Sequence, residues 1–211
     1  MRRPRVRSPP GAPGIIRGTD MEELKKRILK EGTAIGTEII RVDSFLNHQL
    51  DTKFLEKIGQ EFAARFEGCT VDRILTVETS GIAVAVAAAR YFGDPPVVFA
   101  RKTMPSTMDS NSYAAASRSF TKETVSVLRV EKKYIRLCDN VLILDDFLAH
   151  GEAATALTEI AKQAGANVVG IGVVIEKRYQ GGRAKLEEAG YRVESLASIE
   201  EIRNGKIIFS E

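Results

Sequence analysis

The sequence lacks the features that mark several common protein classes. Its 211 residues include only two cysteines, Cys69 and Cys138, and they form no CxxC pair. This excludes a disulfide framework or a zinc site as the organising element and suits a reducing compartment. No apolar run reaches the roughly 18 residues that a membrane-spanning helix needs. We therefore predict a cytoplasmic protein that has no membrane partner.

Two nucleotide-binding signatures are also missing. There is no GxxxxGK[ST] P-loop, and no G-x-G-x-x-G turn follows a predicted strand. Both motifs use glycines to bring main-chain amides against a phosphate. Their absence argues against a P-loop nucleotidase and against a Rossmann dinucleotide-binding domain.

A strong excess of one charge is missing as well. The formal net charge is +3, but residues 1–20 hold five arginines and one acid, and the rest carries 26 basic and 27 acidic side chains. A nucleic-acid partner would depend on this leader alone, and we predict none. The leader is rich in Arg, Pro and Gly and lacks the apolar stretch of a secretory signal. We interpret residues 1–20 as a disordered leader, a tag or an upstream start, and residues 21–211 as a single domain.

What is present is an alternation of helical and strand patterns. Strands that are apolar on both faces and alternate with helices indicate an α/β fold, with a mostly parallel central sheet and helices on both faces. The patterns predict strands at 73–77, 97–101, 141–146, 167–177 and 191–197, helices at 22–31, 51–67, 152–165 and 183–189, and an Ala-rich helix that ends near Tyr91.

Polar residues follow four of the predicted strands. In a parallel sheet, ligands bind beyond the carboxyl ends of the strands. Because these ends meet at one edge of the sheet, we expect the polar residues to converge on one crevice. The four strand ends are Glu78-Thr79-Ser80, Arg101-Lys102, Asp145-Asp146 and Glu176-Lys177.

One stretch does not fit the alternation. Residues 103–123 are polar, rich in Ser and Thr, and longer than an ordinary connection. A long excursion at the ligand face is typical of a lid that closes over the reacting groups. The alternative interpretation is a surface β-hairpin that has no catalytic role.

The segment VLILDDFLAHGEA, residues 141–153, carries the candidate chemistry. A strand delivers Asp145 and Asp146 to the sheet edge, and the turn Ala149-His150-Gly151-Glu152-Ala153 presents main-chain amides at a helix N-terminus, which forms an anion site. A phosphate beside two carboxylates is an electrostatic mismatch unless something lies between them. A sugar phosphate resolves the mismatch, since its hydroxyls donate to the acids. A purely structural acidic strand end is the alternative.

This segment resembles the phosphoribosyl-diphosphate-binding fingerprint of type I phosphoribosyltransferases, and further segments resemble the bacterial xanthine phosphoribosyltransferases. The likeness covers residues 21–211. It implies that family's fold, with a small base-binding hood from about 21–50 and 178–211. It also implies transfer of phosphoribosyl from phosphoribosyl diphosphate to xanthine, with Mg²⁺ bound through the diphosphate rather than by a protein cage, in a homodimer. The further segments are RVDSFLNHQLD (41–51), ETSGIA (78–83), VVFARK (97–102), SFTKET (119–124), VIEK (174–177) and GYRVESLASI (190–199).

Three positions depart from the family pattern. The family often has Thr, and the subfamily usually Asn, where this chain has His150, and a hydroxyl residue is common where it has Ala153. Thr79 stands where Ser is frequent. If main-chain amides do most of the phosphate binding, these changes are tolerable.

Holding the leaving group is a second task of the site, because substitution at the anomeric carbon passes through a cation-like state as pyrophosphate departs. We predict that the turn Glu78-Thr79-Ser80-Gly81 donates main-chain amides to pyrophosphate. Arg101 or Lys102 adds positive charge, and side-chain alternation favours only one of them. Asp145 and Asp146 hold the ribose hydroxyls, and either one helps to place or deprotonate the base.

Base recognition involves Lys177, which ends a predicted strand beside the crevice and can donate to an exocyclic purine oxygen. By the family resemblance, Ile40 and Asn47 complete the pocket. The Asn47 amide can donate to the 2-oxo group that distinguishes xanthine from guanine and hypoxanthine. The alternatives are a guanine/hypoxanthine phosphoribosyltransferase and a transcription regulator that senses phosphoribosyl diphosphate without catalysis.

Overall fold

The computed structural model describes residues 21–103, 111–119 and 124–210. The predicted leader and two parts of the predicted lid, 104–110 and 120–123, lie outside the described residues. The helices are α1 (Glu22–Glu31), α2 (Thr52–Arg65), α3 (Gly81–Ala89), α4 (Glu152–Gln163) and α5 (Gly182–Glu188). The strands are β1 (Thr33–Ile35), β2 (Ile39–Arg41), β3 (Arg73–Val77), β4 (Val97–Ala100), β5 (Ser112–Ser119), β6 (Thr124–Glu131), β7 (Asn140–Leu148), β8 (Asn167–Lys177), β9 (Val193–Arg203) and β10 (Lys206–Phe209).

Six strands form the central sheet in the order β10-β9-β8-β7-β3-β4. The neighbours from β9 to β4 pair in parallel, and β10 pairs with β9 in antiparallel fashion. Parallel neighbours need crossover connections, and α3 and α4 provide two of them. The predicted α/β fold is therefore confirmed. The carboxyl ends of β3, β4, β7 and β8 lie on one edge of the sheet.

Helices cover both faces of this sheet over two buried apolar clusters. One cluster joins α1, α2 and α3 to Leu142 and Leu144 of β7. The other joins α4 and α5 to Val141 and Ile143 of the same strand. Alternate side chains of β7 thus pack on opposite faces, which is why this strand is apolar at every position before the acids.

Several predicted bounds agree with the structure, and two strands are longer than predicted. β3 and β8 coincide with the predicted strands at 73–77 and 167–177. β7 continues past the acid pair to Leu148, because Phe147 and Leu148 still pair with β8. β9 runs on to Arg203, because β10 folds back and pairs with its end. Apolar patterning alone carries no information about such pairing.

The predicted lid contains one strand of a β-hairpin. β5 and β6 pair in antiparallel fashion, which agrees with the hairpin interpretation for residues 112–119. Ala115 and Leu128 are buried in the same cluster as α4. The Gln163 amide of α4 makes two hydrogen bonds with the main chain of Ala114. A closing role for this stretch stays a prediction.

The N-terminal elements lie against the C-terminal strands. The Met21 amide donates to the Leu196 carbonyl oxygen at 2.7 Å. β1 and β2 form a short hairpin, and a π-helical turn, Asp43–Asn47, follows it. That these elements form a hood which binds the base stays a prediction. Across the described ranges, no helix combines the length and apolar character needed to cross a membrane.

Candidate active site

The two adjacent acids at the end of β7 lie in contact with each other. Asp145 is 7% exposed, and its Oδ1 accepts the amide of Asp146 at 2.9 Å. Burial raises the pKa of Asp145 well above its ordinary value, and the neighbouring carboxylate of Asp146 raises it further. The Asp145 carboxyl therefore retains its proton at pH values where an exposed aspartate has lost it. Asp146 is the more exposed member of the pair.

The turn after β3 packs directly against these acids. A Cβ on Gly81 would lie 2.6 Å from Asp145 Oδ1 and 2.3 Å from Oγ1 of Thr76. No side chain fits there, so glycine allows α3 to begin beside the acid pair. The structure thus brings the predicted pyrophosphate turn, Glu78 to Gly81, next to the predicted ribose-binding acids.

The predicted cationic pair at the end of β4 divides into two different environments. The Arg101 guanidinium carbon lies 5.2 Å from the centre of the Phe99 ring, and its main chain bridges to Arg129. The Lys102 amide donates to Glu78 Oε1 at 2.7 Å. Burial dominates the pKa of Asp145, but the positive charge of Lys102 acts on it in the opposite direction. This observation favours Lys102 as the cation that serves the site.

Residues 149–153, here called the phosphate loop, connect β7 to α4. Gly151 caps the helix with φ of 80°, a left-handed conformation that favours glycine. The first amides of a helix have no intrahelical partner, so the loop and the start of α4 can bind an anion. The predicted loop residues therefore lie together, with Ala149, His150 and Ala153 half-buried. The Glu152 side chain turns to Lys185, 2.8 Å away, and leaves only its main chain for a ligand.

The predicted base-binding residues fall into two places. Asn47 ends the π-helical turn Asp43–Asn47, and its Nδ2 donates to Asp146 Oδ2 at 2.5 Å. Ile40 is buried, with 6% exposed, in β2 of the preceding hairpin. The Lys177 ammonium donates to the Glu38 carbonyl oxygen at 2.6 Å. The structure thus brings Asn47 to the acid pair and Lys177 to the β1–β2 hairpin that carries Ile40.

Lys177 also lies over an aromatic ring that the sequence interpretation did not include. Its Nζ is 5.6 Å from the centre of the Phe147 ring. Burial lowers the pKa of Lys177, and the carboxylate of Glu38 partly opposes this shift. Phe147 directly follows the acid pair in the sequence. Its position in the motif could therefore have identified it as a candidate residue of the base site.

Asp43–Asn47, here called the base segment, is held by α1. The Arg27 guanidinium carbon lies 4.6 Å from the ring centre of Phe45 and 4.8 Å from that of Phe54. Its Nη1 donates to Asp51 at 2.6 Å, and a second pair joins Arg27 to Glu31. No sequence signal pointed to this role, because an arginine on an amphipathic helix is normally a solvated side chain.

The expectation that Glu176 faces the crevice was wrong. Its carboxylate is 1% exposed and receives the guanidinium of Arg183 at 2.8 Å and the hydroxyl of Ser195 at 2.7 Å. Burial acts to raise the pKa of Glu176, but the hydrogen bonds from Arg183 and Ser195 hold it below its ordinary value. Adjacent side chains of a strand point to opposite faces, so only Lys177 of this strand end remains in the candidate base site.

Comparisons with known proteins agree with this geometry. The model of the phosphoribosyl transferase domain matches residues 48–200. Xanthine phosphoribosyltransferase of Clostridium novyi (strain NT) is 52% identical over 189 residues, which cover 90% of this chain and 99% of that protein. The enzyme of the same name from Laribacter hongkongensis (strain HLHK9) is 49% identical, with 90% and 100% covered.

Solved structures give the same fold at low sequence identity. Adenine phosphoribosyltransferase from Rhodothermus marinus superposes with a TM-score of 0.68 at 20% identity, over 84% of this chain and 99% of that one. The corresponding enzyme from Giardia lamblia, in complex with 9-deazaadenine, gives a TM-score of 0.69 at 18% identity, over 85% and 98%. At this identity the likeness concerns the fold alone.

Proposed function

Because the chain belongs to the phosphoribosyltransferase family, we propose that it transfers the 5-phosphoribosyl group of phosphoribosyl diphosphate to N9 of xanthine. The products are xanthosine 5′-monophosphate and pyrophosphate, and the role is purine salvage. The hydrogen bond between Asn47 and Asp146 carries this proposal, since it joins a base-side residue to the acid pair beside the phosphate loop. The names of relatives that are about half identical support xanthine as the base.

The sugar phosphate is held at two points in this account. The amides of the phosphate loop and the first turn of α4 bind the 5-phosphate. The carboxyl groups of Asp145 and Asp146 accept hydrogen bonds from the ribose hydroxyls. Because the raised pKa of Asp145 favours its protonated form, the pair carries less negative charge than two free carboxylates, which weakens its repulsion of the phosphate.

The leaving pyrophosphate occupies the turn from Glu78 to Gly81. Main-chain amides of this turn donate to its oxygens, and the ammonium group of Lys102 supplies positive charge. Fixed donors aimed at a group that gains charge stabilise the transition state more than the ground state. The turn therefore contributes to the rate as well as to binding.

The chemical step exchanges one bond of the anomeric carbon for another. The bond from C1′ to the diphosphate oxygen breaks, and the diphosphate leaves with the bonding electron pair. The N9 lone pair of xanthine forms the new bond to C1′, and the base loses one N–H proton. Asp146, the more exposed acid, accepts that proton directly or through water.

Base recognition depends on donors that match the oxygens of xanthine. Lys177 donates to an exocyclic oxygen, and the Asn47 amide donates to the 2-oxo group. The Asn47 amide has two hydrogens, so it can keep its hydrogen bond to Asp146 while it donates the second hydrogen to the base. Ile40 contributes an apolar wall from β2, and Phe147 offers a ring near Lys177.

Magnesium belongs to this reaction as part of the diphosphate substrate. The described portion of the chain has no group of three His, Cys, Asp or Glu side chains that could hold a metal ion. Asp146 and Glu78 still offer carboxylate oxygens, which are donors that Mg²⁺ prefers. The site therefore fits an ion bound mainly through substrate oxygens and water, where it neutralises charge on the leaving pyrophosphate. A homodimer and a cytoplasmic location complete the proposal. The homodimer rests on the family resemblance, and the location rests on the scarcity of cysteine.

Release of pyrophosphate tests the function directly. The intact protein is assayed with phosphoribosyl diphosphate and xanthine, guanine or hypoxanthine, each with and without Mg²⁺. We expect Mg²⁺-dependent release that is most efficient with xanthine, with guanine as a poor substrate. Equal efficiency for the three bases would remove the assignment of xanthine but keep the transferase. No release with any base would remove the transferase.

A further inference from the structure

The phosphate loop rests on a neighbouring segment, Gln180–Lys185, here called the loop support. The Gly182 amide donates to the Ala149 carbonyl oxygen at 3.1 Å. The His150 ring nitrogen Nδ1 lies 3.1 Å from the Gln180 carbonyl oxygen, so this nitrogen carries the hydrogen. Lys185 and Glu152 form an ion pair at 2.8 Å. Three separate contacts therefore join the loop support to the phosphate loop.

The contact between Gly182 and the loop leaves no room for a side chain. A Cβ on Gly182 would lie 2.3 Å from the Ala149 carbonyl oxygen, 2.7 Å from the Gly151 nitrogen and 3.0 Å from the His150 carbonyl carbon. All three are main-chain atoms, so they move only if the loop itself moves. Conversely, a Cβ on Gly151 would lie 3.2 Å from the Gly182 Cα. The two glycines allow two main chains to meet.

The loop support is anchored to the central sheet and therefore resists displacement. Arg183, the next residue, pairs with the buried carboxylate of Glu176 in β8 and donates to Ser195 Oγ at 2.8 Å. It also donates to the Val193 carbonyl oxygen at 2.8 Å. A methyl group at position 182 would consequently push against the loop, whose amides face the ligand.

We propose that Gly182 is a positioning residue for the phosphate loop, and that its missing side chain sets where the loop amides meet the 5-phosphate of the substrate. This inference rests on the proposed function and adds a residue that touches no substrate. It assigns a mechanical role to a glycine whose φ is not in the left-handed region, so that conformational freedom does not explain it. The close approach of the two main chains does.

The test compares Gly182→Ala with a control, Gly59→Ala, in the full chain. A Cβ on Gly59 would lie 2.7 Å from the Ala87 carbonyl oxygen, between α2 and α3, so the control suffers a similar main-chain clash elsewhere. Displacing a positioned group by about 1 Å costs up to about 100-fold in efficiency, and we expect a 10- to 100-fold higher KM for phosphoribosyl diphosphate in Gly182→Ala. The control should lower thermal stability and leave this KM within about twofold of wild type.

Ligand fragments separate positioning from general damage. Calorimetric titration should show that Gly182→Ala weakens ribose 5-phosphate by the same factor as the KM, and leaves the affinity for pyrophosphate, which binds the other turn, at the wild-type value. Equal loss of both affinities, or a wild-type KM, would overturn the proposal. A wild-type protein that neither binds these ligands nor releases pyrophosphate would instead overturn the proposed function.

A second variant keeps the proposal testable if Gly182→Ala does not fold. Lys185→Ala removes an exposed side chain that joins the loop support to Glu152, and folding should survive. A partly exposed ion pair contributes up to about 1 kcal/mol, so we expect ribose 5-phosphate to bind about threefold more weakly, with pyrophosphate unaffected. Unchanged ribose 5-phosphate affinity would count against the loop support.

Discussion

The phosphate loop follows the acid pair along the chain and the base segment contacts it through Asn47, and the two segments are held by different kinds of contact. The phosphate loop meets the loop support, Gln180–Lys185, through a main-chain hydrogen bond and a close approach of two main chains, and the His150 ring and the Lys185–Glu152 ion pair add side-chain contacts. The base segment is fixed by side chains, since the Arg27 guanidinium contacts the rings of Phe45 and Phe54 and pairs with Asp51.

This difference has consequences for both ligands. A site built from main-chain amides tolerates exchange of its side chains, which explains how His150 and Ala153 can replace the residues that are frequent in the family. Such a site does not tolerate added bulk behind the loop. A site built from side chains behaves in the opposite way, because each exchange alters which base it can recognise.

Asp146→Asn should have the largest effect, because Asp146 contacts Asn47 of the base segment and is the proposed proton acceptor. The variant keeps the size of the side chain but loses the proton acceptor, and general-base catalysis contributes about 100- to 10,000-fold. We expect kcat to fall by at least about 100-fold, with the melting temperature close to that of the wild type. Steady-state kinetics and a thermal melt measure the two quantities. Unchanged kcat would remove Asp146 from the catalytic site.

Asn47→Ala should weaken binding of the base and leave binding of phosphoribosyl diphosphate unchanged. A buried polar group that loses its partner costs about 1–3 kcal/mol, which corresponds to a rise of about 5- to 150-fold in KM for xanthine. The KM for phosphoribosyl diphosphate should change by less than about twofold. Hypoxanthine lacks the 2-oxo group, so its KM is the matched control and should change much less. An equal loss for both bases would contradict the role of Asn47.

Arg27→Lys should have a smaller effect on binding of the base. Lysine keeps the charge but lacks the planar, forked guanidinium that contacts both rings and holds Asp51 and Glu31 at once. We expect the free energy of unfolding to fall by about 1 kcal/mol, and the KM for xanthine to rise while that for phosphoribosyl diphosphate stays constant. Together with Gly182→Ala, which affects only the phosphate ligand, this variant would separate the two segments. A rise in both KM values would show that they are not independent.

The pH dependence of stability should reveal the proton on Asp145. Because the folded pKa is raised, the stabilisation from this group is fully present below the unfolded pKa of about 3.9 and is lost as the pH rises through the folded pKa. Asp145→Asn carries no such proton. Its stability relative to the wild type should therefore improve with rising pH, as denaturant unfolding would show. A constant difference would mean that Asp145 is not protonated in the folded protein.

The sequence could predict those features that depend on residues close together in the chain. Alternating apolar strands and helices predicted the parallel sheet, and the motif at 145–153 predicted the acid pair and the phosphate loop. These are local patterns, in which neighbouring residues carry the information. The turn at 78–81 lies beside the acid pair, as its strand end indicated, and Asn47, which was expected only through the family resemblance, contacts Asp146. Their roles in binding stay predictions.

The features that the sequence did not predict depend on contacts between distant parts of the chain. Gly182 and Arg27 lie in ordinary helical sequence, and their roles appear only when a loop or a ring from elsewhere packs on them. Glu176 was misplaced for a related reason, because its partner Arg183 follows in a helix rather than in the same strand. Spacing along the chain does not contain such pairings.

Hydrogen exchange at the phosphate loop tests the central claim most directly. If the amides of residues 149–153 bind the phosphate of a phosphorylated sugar, saturating ribose 5-phosphate should slow their exchange strongly, while amides of the distant α2 remain unchanged. Free ribose at the same concentration should have little effect. Exchange at residues 149–153 that stays the same with saturating ribose 5-phosphate would contradict the account.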